Sequence, residues 1–154
     1  DVDDMVEYSK KVINHSCKSH KFNFLKDSII NFDFPKNTSI ITSIYTIQFV
    51  SPSVRQDIIN NIYDSLAWGG AFFFFEKTNA NDARFHDILL QNYEDFKINN
   101  GFSLDEIKAK QLSLRGVLKP FSSFGNMELL KRSGFIDIQP IFRFGMFEGL
   151  LAIK

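Results

Sequence analysis

The segment from Thr38 to Thr78 leaves this chain few folds to choose from. Two short apolar runs, Ser39-Ile40-Ile41-Thr42-Ser43-Ile44-Tyr45 and Ala71-Phe72-Phe73-Phe74-Phe75-Glu76, are rich in β-branched or aromatic residues and bounded by turn residues. Runs of that kind read as strands covered on both faces of a parallel sheet. Between them the pattern predicts a helix from Pro52 to Leu66. Ser51 is placed to cap it, Pro52 sits where a missing N–H costs nothing, and Gly69-Gly70 is placed to end it. Val54, Ile58, Ile59, Ile62 and Leu66 recur at helical spacing as one apolar stripe. Strand, helix and strand together predict a right-handed βαβ crossover, with the rest of the chain extending the sheet on either side.

Upstream, the pattern predicts a first helix with Asp3 as its cap and Met5, Tyr8, Val12 and Ile13 on one face. A short strand is expected at Phe22-Asn23-Phe24-Leu25, and a turn at Phe34-Pro35-Lys36-Asn37. Downstream, Asn81 to Asn99 reads as a long helix with Phe85, Ile88, Leu89, Asn92 and Phe96 on one side and Gly101 as its stop. Ser103-Leu104-Asp105-Glu106 is a capping box opening a helix that runs to about Leu114. Ser123 to Arg132, with Phe124, Met127 and Leu130 as apolar positions, predicts another helix closed by Gly134. Phe135 to Phe144 and Met146 to Ile153 then read as two strands joined near Gly145. Strand–helix alternation closed by a hairpin predicts an α/β doubly wound sheet with an antiparallel end.

Composition narrows the function classes. The 154 residues suffice for one domain with a real core. Net charge is formally zero and the 18 basic residues are scattered, so there is no nucleic-acid footprint. The 18 Phe lie in strand-like runs without interleaved Lys or Arg, which suits core packing rather than base stacking. No apolar run approaches the roughly 20 residues of a membrane helix. A lone cysteine, Cys17, makes no intrachain disulfide and fits a reducing, cytoplasmic setting. His15, His20 and His86 are not spaced as metal ligands, so no metal is expected.

In open α/β sheets ligands bind outside the carboxyl ends of the strands. That rule selects Asp27-Ser28, Tyr45 to Gln48 and Glu76-Lys77. Asp27 suits a nucleotide amine or hydroxyl, with a solvated turn or cap residue as the plainer alternative. Tyr45 and Gln48 suit a pocket floor, or equally plain packing. Glu76 ends an apolar strand and is expected to be solvated at the sheet edge or paired with Lys77 or another neighbour. The sequence holds no catalytic triad signature, and no glycine-rich phosphate loop. No catalytic residue is assigned.

Thr46-Ile47-Gln48-Phe49, Pro52-Ser53-Val54-Arg55-Gln56, Ile62-Tyr63-Asp64-Ser65-Leu66, Gly69-Gly70-Ala71 and Glu76-Lys77 form an ordered set. It continues through Asp95-Phe96-Lys97, Asn100-Gly101-Phe102-Ser103, Glu106-Ile107, Ser133-Gly134-Phe135 and the closing Phe144 to Lys154. In order and spacing the set resembles the carboxy-S-adenosyl-L-methionine synthase family of class I methyltransferase-like proteins. The resemblance implies an incomplete Rossmann-like methyltransferase sheet with helices on both faces and a C-terminal antiparallel hairpin, a single partial domain over 1–154. It begins after the family's first two strands, its glycine-rich loop and its ribose-binding acid.

The resemblance also implies a site for S-adenosyl-L-methionine or its carboxylated form, with weak or lost binding in this chain. Asp1 falls beside the ribose-binding position, Asp27 and Ser28 fall on the adenine side, and Tyr45 and Gln48 fall at the pocket. Ile44 replaces a pocket Asn of the family. Gln111 stands where the family has an arginine that grips the cofactor's extra carboxylate, and Arg115 is a possible substitute. The implied parent takes a prephenate-like small molecule and supplies tRNA wobble-uridine modification. An ordinary S-adenosylmethionine-dependent methyltransferase, and a non-catalytic interaction module, are the alternatives. The family's sheet order, 3-2-1-4-5-7-6, leaves the Ile40 to Tyr45 strand at a bare edge. That edge is expected to pair with a displaced segment of the same chain or with a second copy, as a homodimer.

Overall fold

The structure, a computed structural model, describes residues 2–16 and 21–154. It divides into two compact units, Asp1–Phe32 and Asp33–Lys154. The first holds helix α1 (Val2–Ser16), with Asp3 and Asp4 in its first turn. Met5, Tyr8 and Val12, expected as its apolar face, are exposed. The expected strand at Phe22 to Leu25 does not form: 21–28 has no regular secondary structure. Four alternating residues make a strand only against a ladder, and none runs there among the described residues.

The second unit contains β1 (Thr38–Ile44), α2 (Pro52–Ser65), β2 (Leu66–Lys77), α3 (Ala83–Asn99), α4 (Leu104–Ser113), α5 (Ser123–Arg132), β3 (Asp137–Phe144) and β4 (Phe147–Ile153). The sheet order is β1-β2-β4-β3. The β1–β2 pair is parallel, and β4 is antiparallel to both β2 and β3. The βαβ unit, the later helices and the closing hairpin therefore stand as expected, and Gly145, at φ 53°, turns the hairpin.

Two details of the central crossover differ from expectation. Ser51 makes no side-chain cap bond, its hydroxyl lying 3.0 Å from that of Ser53. Gly69-Gly70 does not end α2 but lies inside β2. The helix ends because Leu66 turns extended, and Lys154 Nζ donates to the carbonyls of Tyr63 (2.7 Å) and Leu66 (2.9 Å), a cation at a helix C-terminus. Gly70 serves the sheet: a Cβ there would lie 2.8 Å from the Ala67 carbonyl oxygen and 3.0 Å from that of Thr38. Only glycine admits so close a backbone approach.

Alternation along β2 divides the phenylalanines between two layers. Phe72 and Phe74 are buried with Ile58, Ile59, Ile62, Leu129, Leu130 and Phe135. Their rings stack at 5.5 Å, and Phe72 stacks on Phe135 at 6.2 Å. Each such side chain contributes roughly 1.5–3 kcal/mol by leaving water. On the opposite face Phe75 packs over Gly149 and lies 6.0 Å from Phe142. Helix α3 covers this second face through Tyr93 on Phe147 (5.1 Å) and Phe96 on Phe144 (5.2 Å). Its expected stripe is only partly inward, since Phe85 and Ile88 are exposed. In α5, Leu130 is buried as expected while Phe124 is exposed.

Candidate functional site

At the carboxyl end of β1 the chain enters Tyr45 in the left-handed region, at φ 54°. A bulky residue there is held against its own preference by its surroundings. Tyr45 N donates to the Phe75 carbonyl at 2.8 Å, and its ring meets Phe147 edge-on at 5.5 Å. A single 3₁₀ turn, Ile47–Phe49, follows, with Ile47 and Gln48 buried. Gln48 Oε1 accepts from Lys77 N at 2.8 Å, tying this turn to the end of β2.

Two charged groups complete the frame. Glu76 is buried rather than solvated, and its Oε1 accepts from Ile47 N at 3.1 Å rather than pairing with Lys77. Burial, opposed by that backbone bond and by Arg55, raises its carboxyl to about 7. Arg55, only 1% exposed, donates through Nε and Nη2 to Val50 O (3.0 and 2.9 Å) and through Nη2 to Gln48 O (3.0 Å) and Lys119 O (2.6 Å). Its guanidinium also lies 4.4 Å from the centre of the Phe121 ring.

This frame walls one side of a cavity of about 580 Å³. Gln48, Phe49, Lys77 and Phe147 line it from the sheet side, Tyr93 and Lys97 from α3, and Ile107, Lys110 and Gln111 from α4. The ammonium of Lys97 lies 4.5 Å from the centre of the Tyr93 ring and that of Lys77 lies 5.5 Å from it. Burial first, then the charge of Lys97, lowers the Lys77 ammonium below the usual lysine range. Burial also raises the Tyr93 hydroxyl. The two carboxylates of the wall are engaged: Glu94 accepts from Gln111 Nε2, and Glu106 accepts from Ser103 N and Oγ, both at 2.8 Å. An apolar cavity with two ammonium groups over one ring and its carboxylates engaged suits a ligand with an apolar body and an anionic end.

Of the residues selected from sequence, Gln48, Lys77 and Gln111 line this cavity. Gln111 and Arg115 together line an adjoining cleft of about 360 Å³. Tyr45 stands behind Phe147, and Ile44 is exposed on β1. Asp27 and Ser28 belong to the first unit, where Asp27 Oδ1 accepts from Ser28 N at 2.7 Å. Asp1 lies outside the described residues, as do Cys17 and His20. Among the described residues no His, Cys, Asp or Glu cluster is suited to a metal ion, and no helix is long and apolar enough to cross a membrane.

Sequence reasoning missed Arg55 and Tyr93 as structural and lining residues. The signal for Arg55 was present: it stands three residues before Ile58 on the apolar stripe, where a charge must be buried and satisfied. Tyr93 and Lys97 share a helical face one step round from the stripe assigned to α3.

A cofactor of the S-adenosylmethionine type carries ribose hydroxyls that call for a carboxylate, and each carboxylate of the cavity already accepts at one oxygen, Glu94 from Gln111 and Glu106 from Ser103. The lysines, Tyr93 and the two amides fit the anionic and apolar parts of such a molecule.

No family model matches the chain. It is 37% identical over 147 residues to the carboxy-S-adenosyl-L-methionine synthase of Staphylococcus epidermidis, covering 96% of this chain and 64% of that protein. Against the protein of the same name from Nitratiruptor the identity is 38%, covering 92% of this chain and 59% of the relative. For Trichodesmium erythraeum the figures are 32%, 98% and 59%. The chain thus spans about three fifths of the length of these relatives. In fold it is similar to the S-adenosylmethionine-dependent methyltransferase SibL (TM-score 0.64, 12% identity, 97% of this chain and 40% of that one). It is likewise similar to human N-acetylserotonin methyltransferase (TM-score 0.57, 14% identity, 92% and 36%). The chain is thus similar in fold to part of the S-adenosylmethionine-dependent methyltransferases and is a sequence relative of the carboxy-S-adenosyl-L-methionine synthases.

Proposed function

We propose that this chain supplies the acceptor-side part of an S-adenosylmethionine-dependent transferase site, in a parent of the carboxy-S-adenosyl-L-methionine synthase kind. The observation that carries the reading is the cavity at the carboxyl ends of β1 and β2, whose lysines and Tyr93 suit an anionic, partly apolar ligand. On this reading 1–154 is one partial domain. Gln48 contacts the cofactor with Ile44 and Tyr45 on the same strand-end segment, and Gln111 and Arg115 lie toward the carboxylate end. The co-substrate is a prephenate-like anion, and the product feeds tRNA wobble-uridine modification in the cytoplasm. Gln111 in place of arginine removes a bidentate, charge-assisted grip on the cofactor's extra carboxylate.

Ligand-observed NMR of the 154-residue chain with S-adenosyl-L-methionine, and separately with the carboxylated form, tests this. The expected result is a millimolar affinity, on the order of −4 kcal/mol, with no preference for the carboxylated form. Micromolar affinity for either would contradict the view that the site is incomplete, and absence of any binding would remove the site.

A second reading is favoured by the β1 edge. β1 pairs only with β2, no segment of the chain adds to its outer side among the described residues, and Ile40 and Ile44 are each 59% exposed. Unpaired strand edges recruit other strands. Sedimentation velocity is expected to show a homodimer that Thr42→Pro, which removes one edge donor, converts to monomer. A monomer at all concentrations would exclude this reading.

A further inference from the structure

We infer that Glu76 is a positioning residue whose carboxylate sets the shape of the turn at residues 45–49, and through it the placement of Gln48 and Phe49 in the cavity wall. The inference rests on reading that cavity as the ligand site. Tyr45 in the left-handed region makes the N–H groups after it converge, the arrangement that forms an anion-binding concavity. Thr46 does not satisfy them, because it makes no side-chain cap and its hydroxyl donates to the Ile44 carbonyl at 3.1 Å. Glu76 engages them: Ile47 N donates to Oε1 at 3.1 Å, and the amides of Thr46 and Gln48 favour the ionised carboxylate electrostatically. An internal carboxylate thus occupies the concavity a bound anion would otherwise take.

The charged groups around Glu76 come from three elements. Arg55 of α2 favours its ionised form. Glu148 of β4 is its direct cross-strand neighbour, and Arg143 of β3 donates to Glu148 Oε1 at 2.9 Å. Lys77, the next residue of β2, points to the opposite face and lines the cavity. Because burial raises Glu76 to about 7, the turn's hydrogen bonds gain charge assistance as the pH rises through neutrality. The wall that carries Gln48 then tightens in the same interval.

The test is a pH series of amide and side-chain carboxyl NMR spectra on the whole chain, over about pH 5 to 9 to bracket the expected titration. The amides of Thr46, Ile47 and Gln48 are expected to move together with the Glu76 carboxyl, at one shared midpoint, and to be flat in Glu76→Gln. With S-adenosyl-L-methionine as probe, Glu76→Gln is expected to weaken binding about fivefold above neutral pH and to have little effect well below it, where the wild type is also neutral. Invariant turn amides in the wild type would overturn the inference, as would binding by Glu76→Gln equal to wild type above neutral pH. If the wild type gives no probe signal, the ligand-site reading fails while the amide titration still decides what Glu76 does. If Glu76→Gln does not fold, the wild-type titration decides alone.

Discussion

Arg55→Ala is expected to lower the stability of the folded chain by about 4 kcal/mol, at the upper end for removing a buried side chain that satisfies several backbone carbonyls. The side chain is almost wholly buried, and its four hydrogen bonds serve the carbonyls of Gln48, Val50 and Lys119. Removing it leaves those three oxygens to water that reaches them poorly, opens a void against Phe121, and takes away the cation that favours the ionised form of Glu76. Since a domain of this size holds about 5–15 kcal/mol in total, the variant is expected to be marginal. Arg55→Lys keeps the charge but not the planar fork that serves several carbonyls at once, and is expected to recover less than half of the loss. Urea denaturation measures both variants. A loss below about 1 kcal/mol for Arg55→Ala would show that the 45–50 segment does not depend on the clamp.

The second large effect is a fall in stability as the pH rises. Glu76 has its carboxyl raised from 4.5 to about 7 in the folded chain, so between those values the folded state holds a proton that the unfolded state has released. Folding is therefore favoured most, through this group, below about pH 4.5, and that contribution is lost as the pH rises through about 7. Its full size is roughly 3 kcal/mol, an order-of-magnitude conversion of the shift. Glu76→Gln cannot ionise, so its urea midpoint is expected to exceed that of the wild type at pH well above neutral and to lose this advantage toward pH 5. A wild-type midpoint that does not move across this interval relative to Glu76→Gln would contradict the assignment. The ionised form thus costs stability in return for stronger hydrogen bonds in the cavity wall, an exchange typical of functional sites.

Much of the fold was legible because it rests on short-range patterns. The central βαβ unit, the Ser103–Glu106 capping box and the Gly145 hairpin each follow from local residue types, and each is present. Failures came where tertiary context decided. Phe22 to Leu25 alternates like a strand, yet alternation specifies a strand only when a neighbour offers a ladder. Gly69-Gly70 looked like a helix stop, but its use is the close approach of Thr38 to β2, a contact between residues distant in sequence. The cavity was half legible: Gln48 and Lys77 came from strand-end position and Gln111 from family resemblance, whereas Tyr93 and Lys97 depended on the rotation of α3 about its axis. The fate of Glu76 was undecidable from sequence, because its partners are backbone amides of a turn whose shape is set by Tyr45.

The proposed ligand site is the cavity between the carboxyl ends of β1 and β2, α3 and α4. Amide chemical-shift mapping with millimolar S-adenosyl-L-methionine tests it most directly. Saturable shifts concentrated at Gln48, Lys77, Tyr93, Lys97 and Gln111 are expected. Shifts confined to the opposite layer of the sheet, around α2 and α5, or no shifts at all, would contradict it.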